Sequence, residues 1–204
     1  MKVFQGYDKA KEAAQRAGGS RLPKGAYVCK ILGVKYEEGK GGTNDFIKVQ
    51  FDVTEGEYAG FFKKQYEEST QENKKFKGQT TVWVPADDGS EQDGYTKNNF
   101  AKWPNALEES NEGYKWDWDE KKWKDKAVGI VFGETGTVIE GKEIVYTDAR
   151  YPVAVEKVRT GKAGEAKFKA KNGYTGNGVN SSNSSSATPG FLDVPIDADE
   201  ELPF

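Results

Sequence analysis

The chain has 204 residues, of which 35% are hydrophobic, with a mean hydropathy of -0.83; that length fits one domain of roughly 150 residues plus a polar tail. It has no histidine and one cysteine, Cys29, which excludes histidine-based triads, an internal disulfide and a cysteine-clustered zinc site. The formal charge of -3 is uneven: residues 193–204 hold five acids and no base, leaving 28 of the 33 acids against 30 bases upstream.

A short helix is expected from Asp8, a plausible cap, to Ala17, with Gly18-Gly19 stopping it. The pattern then turns to β. Ala26 to Tyr36 reads as a long first strand, with Gly33 a bend or bulge. From Asp45 to Thr54 the alternation is clean. Ile47, Val49, Phe51 and Val53 share one face, while Lys48, Gln50 and Asp52 share the other. Thr54-Glu55-Gly56-Glu57 reads as a hairpin turn into a third strand, Tyr58 to Glu67. A further strand is expected around Val82-Trp83-Val84, and Pro85 to Gly94 reads as an acidic surface loop.

Lys97 to Ser110 is a helix candidate interrupted by Pro104. Tyr114 to Trp123 carries three tryptophans among charges and reads as a tight hairpin across Asp117 to Lys121. Ala127 to Phe132, Glu143 to Thr147 and Tyr151 to Val158 are three more β segments, and order fades from about Gly161. Asn172 to Gly190 is low-complexity. A flexible linker of about 30 residues reaches roughly 30 Å. The boundaries expected are therefore a helical segment at 1–19, a β-domain at 20–160, a linker at 161–192 and an acidic tip at 193–204.

Three β segments, a helical stretch and further β segments follow the order of an OB-fold, a five-stranded Greek-key barrel. The expected class is mainly β: an OB-like barrel with elaborated loops and a short helix, followed by a disordered tail. An irregular β-sandwich with a helical insertion fits the same pattern.

Enzymatic readings fail. Gly136 to Lys142 has the spacing of a phosphate-binding loop, but Glu143 stands where Ser or Thr should reach magnesium. Val138 and Ile139 read as strand, with Glu140-Gly141-Lys142 turning a hairpin. Asp87-Asp88 and the Asp117, Asp119, Glu120 group lack calcium-loop spacing. No nucleophile has a base beside it, so neither catalysis nor a cofactor or metal is expected.

Sequence-blind binding of a single strand uses aromatic faces for stacking and Lys or Arg along the phosphates. The densest interleaving is Phe61-Phe62-Lys63-Lys64-Gln65-Tyr66, followed by Lys74-Lys75-Phe76-Lys77. In a strand, Phe61 and Lys63 face one way while Phe62, Lys64 and Tyr66 face the other, so one of the two rings must leave the core side. Phe46 is out of step with the apolar face of its strand and shares Lys48's side. Trp83 alternates against Val82 and Val84 and is a further exposed-ring candidate. Trp103, Trp116, Trp118 and Trp123 read mostly as packing within their own domain.

Four acids and an apolar end close the chain: Asp197, Asp199, Glu200 and Glu201, then Leu202-Pro203-Phe204. An exposed terminal Phe beside a carboxylate suits an apolar pocket ringed by basic residues, a recurring recognition mode. This ending resembles the C-terminal tip of bacterial-type single-stranded DNA-binding proteins. The resemblance implies docking on replication and recombination proteins, beyond a linker and an OB-fold that holds DNA.

A second resemblance rests on Phe100-Ala101-Lys102-Trp103, Glu108 through Tyr114, Trp116-Asp117-Trp118-Asp119 and Val158-Arg159. These resemble a replication-associated phage family of Gram-positive hosts, regarded as single-stranded DNA-binding. Together the resemblances imply a protein of the bacterial host's cytoplasm that coats and protects single strands, with a homo-oligomer among its expected forms. A protein-only adaptor carrying an imitation tip, and a strand-annealing recombination protein, are the two rivals. No apolar run approaches the ~20 residues needed to cross a bilayer, so no membrane partner is expected.

Overall fold

The computed structural model describes residues 21–176. The expected helix at 8–17, the later linker and the whole acidic tip, Phe204 included, lie outside the described residues.

The described chain is mainly β. Its elements are β1 (Gly25–Glu37), β2 (Phe46–Val53), α1 (Phe61–Glu68), β3 (Gln79–Trp83), α2 (Glu91–Ser110) and a 3-10 turn (Glu120–Trp123). After them come β4 (Ala127–Ile139), β5 (Lys142–Val153), α3 (Val155–Arg159) and β6 (Lys169–Ala170). One sheet runs in the order β3-β2-β1-β4-β5 with antiparallel neighbours, and β6 joins β4 in parallel. Among the described residues β3 and β5 end the sheet and do not pair, so it stays open. No helix among them is long and apolar enough to cross a membrane.

Period-two alternation sets β2 as expected: Ile47, Val49, Phe51 and Val53 are buried, while Gln50 is exposed and Phe46 and Lys48 are half-buried. Its partner β1 carries one extra residue, Leu32, between the pairs Ile31↔Phe51 and Gly33↔Gln50. A bulge inverts the facing of every later residue. Val34 therefore falls opposite Val49, and Lys35 opposite Lys48 on the outer face.

The third strand expected at Tyr58 to Glu67 is instead a turn followed by α1. The cause is Asp52. Its buried carboxylate accepts the backbone N–H groups of Phe62 at 2.9 Å and Lys63 at 3.1 Å, besides that of Val53 at 2.8 Å. It thereby satisfies orphan donors of a helix whose N-cap, Gly60, has no side chain. Asp52→Ala would strand these amides and should cost about 1–3 kcal/mol. Urea unfolding measures it: Asp52→Asn, which keeps an oxygen acceptor, should recover part of the loss, and equal stability of Ala and wild type would refute this cap.

The acidic loop expected through Gly94 is shorter, because α2 starts at Glu91. Ser90 caps it by accepting Asp93 N–H at 3.1 Å, and the helix continues through Pro104. At its far end the Asn111 side chain donates to Leu107 and Ala127 carbonyls, both at 2.8 Å, and accepts Ala127 N–H at 3.0 Å. This ties α2 to the start of β4.

The hairpin expected at Tyr114 to Trp123 is absent; that stretch is irregular chain with a bend at Trp118, followed by the 3-10 turn. Its tryptophans still pack largely as expected. Trp123 is fully buried, stacked on Trp103 at 5.9 Å and tilted against Trp116 at 5.2 Å and Phe100 at 6.4 Å. This cluster plugs the space between α2 and β1. Trp118 departs from it, with 82% of its surface exposed.

The look-alike phosphate loop is the β4–β5 hairpin, turned at Glu140 and Gly141 with φ of 49° and 75°. Positive φ at both positions is the two-residue turn that matches strand twist. The segments expected at 143–147 and 151–158 are one strand as far as Val153, after which the chain turns into α3. Order does not fade at Gly161: residues through Thr175 lie against β4 and β5, Lys171 N–H bonding to the Gly136 carbonyl at 2.9 Å.

Candidate nucleic-acid interface

The outer face of β2 and β3 gathers three of the residues picked from sequence. Phe46 and Trp83 are direct cross-strand partners, their rings edge to face with centroids 5.4 Å apart. Such pairs reinforce both the sheet and each other's orientation. The Lys48 ammonium lies 5.6 Å from the Phe46 ring centre. Trp83 keeps 38% of its surface exposed.

Around these rings the face is polar. Register places Lys35 and Thr81 on either side of Lys48, and Gly33 and Gln79 on either side of Gln50. Glu37 sits between two cations, 3.1 Å from Lys35 and 3.3 Å from Lys48. The Lys35 ammonium, then Lys48, holds the Glu37 carboxyl below its ordinary range. Two ammonium groups share one carboxylate, so the trio is net positive.

The loop between β1 and β2 is shaped by Asp45, which accepts the Tyr36 hydroxyl and the Gly39 N–H, the latter at 2.8 Å. Those bonds keep the Asp45 carboxyl low and push the Tyr36 hydroxyl up. The loop is thus held at the edge of the ring pair, since Val84 N–H also bonds to the Asp45 carbonyl at 2.8 Å.

The remaining sequence candidates form a second group at the other end of β2. Lys63 and Lys64 are exposed on α1, Lys63 lying 4.0 Å from Glu67. Tyr66, 37% exposed, has the Lys74 ammonium 4.7 Å from its ring centre and Phe76 at 6.1 Å. Lys75 is exposed and Lys77 half-buried in the same stretch. Phe61 does not join either group: it is buried with Phe62, their centroids 5.2 Å apart, and offers no face for stacking. The strand alternation that made one of those rings an outward candidate does not apply to a helix, and here both rings, adjacent at its start, turn inward.

No family model matches the chain, and no curated protein matches it either. The candidate interface therefore rests on its own chemistry.

Lys35 escaped sequence reasoning because simple alternation from Ile31 puts it on the core side, and only the bulge at Leu32 turns it outward. Gly33, readable as a bulge signal, was the clue. The ring at Trp118 was also missed: its neighbours pack, and it alone projects, from a backbone with φ of 67°.

Proposed function

We propose that this protein binds single-stranded DNA on the outer face of β2 and β3, coats and protects it during phage replication or recombination, and recruits partner enzymes by its acidic tip. The observation that carries the reading is the Phe46–Trp83 pair, Trp83 exposed and Phe46 half-buried, beside Lys48 and Lys35 on a polar face. Two rings held edge to face between strands offer a base a rigid π-surface, and the flanking ammonium groups suit its phosphates.

The topology supports the same reading. The order β3-β2-β1-β4-β5 with α2 following β3 is compatible with an OB-type barrel left open between β3 and β5. OB-folds bind oligonucleotides on the face of strands 2 and 3, flanked by the loops joining strands 1–2 and 4–5. Here the Phe46–Trp83 pair lies on that face, next to the loop that Asp45 holds. The tip, Asp197 to Phe204, resembles the docking end of bacterial-type single-stranded DNA-binding proteins, and its charge opposes that of the interface.

Titration with oligo-dT, read by tryptophan fluorescence in a Trp118→Phe background, tests the reading. Stacking on Trp83 should quench its emission, and affinity should fall steeply with salt as counterions are released. A chain ending at residue 192 should bind equally well or more tightly, because the acids no longer compete for the cationic face, while losing partner recruitment. Absence of binding at low salt would exclude the proposal.

A further inference from the structure

The segment after α3 carries a basic and aromatic run, Lys167-Phe168-Lys169-Ala170-Lys171-Asn172-Gly173-Tyr174. It is fastened to the β4–β5 arm. Lys169 and Ala170 pair in parallel with Thr135 and Gly136, on the edge of β4 that β1 leaves beyond the pair Gly25↔Phe132. Lys171 N–H bonds to the Gly136 carbonyl at 2.9 Å, Asn172 Nδ2 donates to Thr137 Oγ1 at 3.2 Å, and Thr175 donates twice to Glu143 Oε1 at 2.7 Å.

Its rings need a glycine beneath them. A Cβ at Gly136 would stand 2.6 Å from Tyr174 Cε1 and 2.7 Å from Phe168 Cζ, so both rings lie directly on the strand backbone. Tyr174 and Phe168 are 5.5 Å apart, and Phe168 keeps 49% of its surface exposed. Lys167, Lys169 and Lys171 are exposed, and among the described residues none forms an ion pair with a carboxylate. Two acids beside the strap are already engaged: Asp148 with Arg150 at 3.2 Å, and Glu143 with Thr175.

Covering a bare strand edge explains the backbone bonds, and lysines alone are a known guard against edge pairing. Neither need explains a half-exposed phenylalanine, which such a guard would omit. Together the exposed ring and three exposed lysines, two of which act on Asp148 only from beyond ion-pair distance, repeat the chemistry of the Phe46–Trp83 face on a second arm of the sheet. We propose that residues 167–174 form a second contact for single-stranded DNA, with Phe168 stacking on a base and Lys167, Lys169 and Lys171 following the phosphates. The inference rests on the reading of the β2–β3 face as a DNA interface. It adds a site near the hairpin joining β4 and β5, the other loop region that flanks OB-fold ligands.

The test compares the full chain with Lys167→Ala/Lys169→Ala/Lys171→Ala, with Phe168→Ala and with Phe168→Tyr, by anisotropy of labelled oligo-dT across a salt series. Losing three phosphate contacts should flatten the slope of log K against log salt by about two. Phe168→Ala should weaken binding about fivefold or more, and Phe168→Tyr should restore it, since stacking tolerates any ring. Melting curves check that each variant is folded. Folded variants with unchanged affinity and slope would overturn the strap contact while leaving the β2–β3 interface in place. Aggregation of the lysine variant, with unchanged affinity in its soluble fraction, would likewise overturn it and make the lysines an edge guard. A wild-type chain that ignores oligo-dT would instead remove the β2–β3 reading itself.

Discussion

Removing either ring of the Phe46–Trp83 pair should weaken oligo-dT binding about 5- to 150-fold, the equivalent of about 1–3 kcal/mol of stacking. The two rings touch, with centroids 5.4 Å apart, so the double variant Phe46→Ala/Trp83→Ala should lose less than the sum of the single losses. The fold should survive. Trp83 is 38% exposed and Phe46 half-buried, and a cross-strand pair of this kind contributes only about 0.2–1 kcal/mol. Lys48→Ala should act differently, reducing the salt slope by about 0.7 because one phosphate contact is gone. Competition anisotropy with matched melting curves separates the two effects. Unchanged affinity in a folded double variant would mean that the ring pair serves only the sheet.

Trp123→Ala should destabilise the protein by about 3–5 kcal/mol, the usual cost of deleting a buried large aromatic side chain. That is a large part of the roughly 5–15 kcal/mol that holds a domain together. Trp123 is fully buried and touches Phe100, Trp103 and Trp116, so its removal leaves a cavity between α2 and β1 that three other rings line. Trp118→Ala is the control: with 82% of its surface exposed, it should shift stability by no more than about 0.5 kcal/mol. Urea denaturation followed by circular dichroism gives both values if the slope m is unchanged. Similar losses in the two variants would show that the ring cluster is not the keystone of this side of the core.

Local pattern made the central ribbon legible. The alternation through Ile47, Val49, Phe51 and Val53 is a period-two signal that tertiary context did not override, and Glu140-Gly141 marked the β4–β5 turn. Phe46 and Trp83 were legible as outward rings for the same reason. What failed to read was set by contacts distant in sequence. The run Phe61 to Tyr66 looks like a strand by composition and becomes a helix because Asp52, ten residues before Phe62, supplies the acceptor for its first amides. The start of α2 was hidden in an acidic glycine-containing stretch, although Ser90 followed by Asp93 is a capping signature. The strap at 167–174 reads as part of the linker expected at 161–192. Its rings lie where a Cβ at Gly136 would stand, a close approach to a glycine far back in the sequence that local pattern does not reveal.

Ultraviolet cross-linking of oligonucleotides bearing 5-iodouracil, with peptide mapping by mass spectrometry, tests the proposed interface most directly. Covalent adducts at Phe46 or Trp83 are the predicted result, suppressed by unlabelled single strands and scarcely by duplex. Adducts confined to other surfaces, or none at low salt, would contradict it.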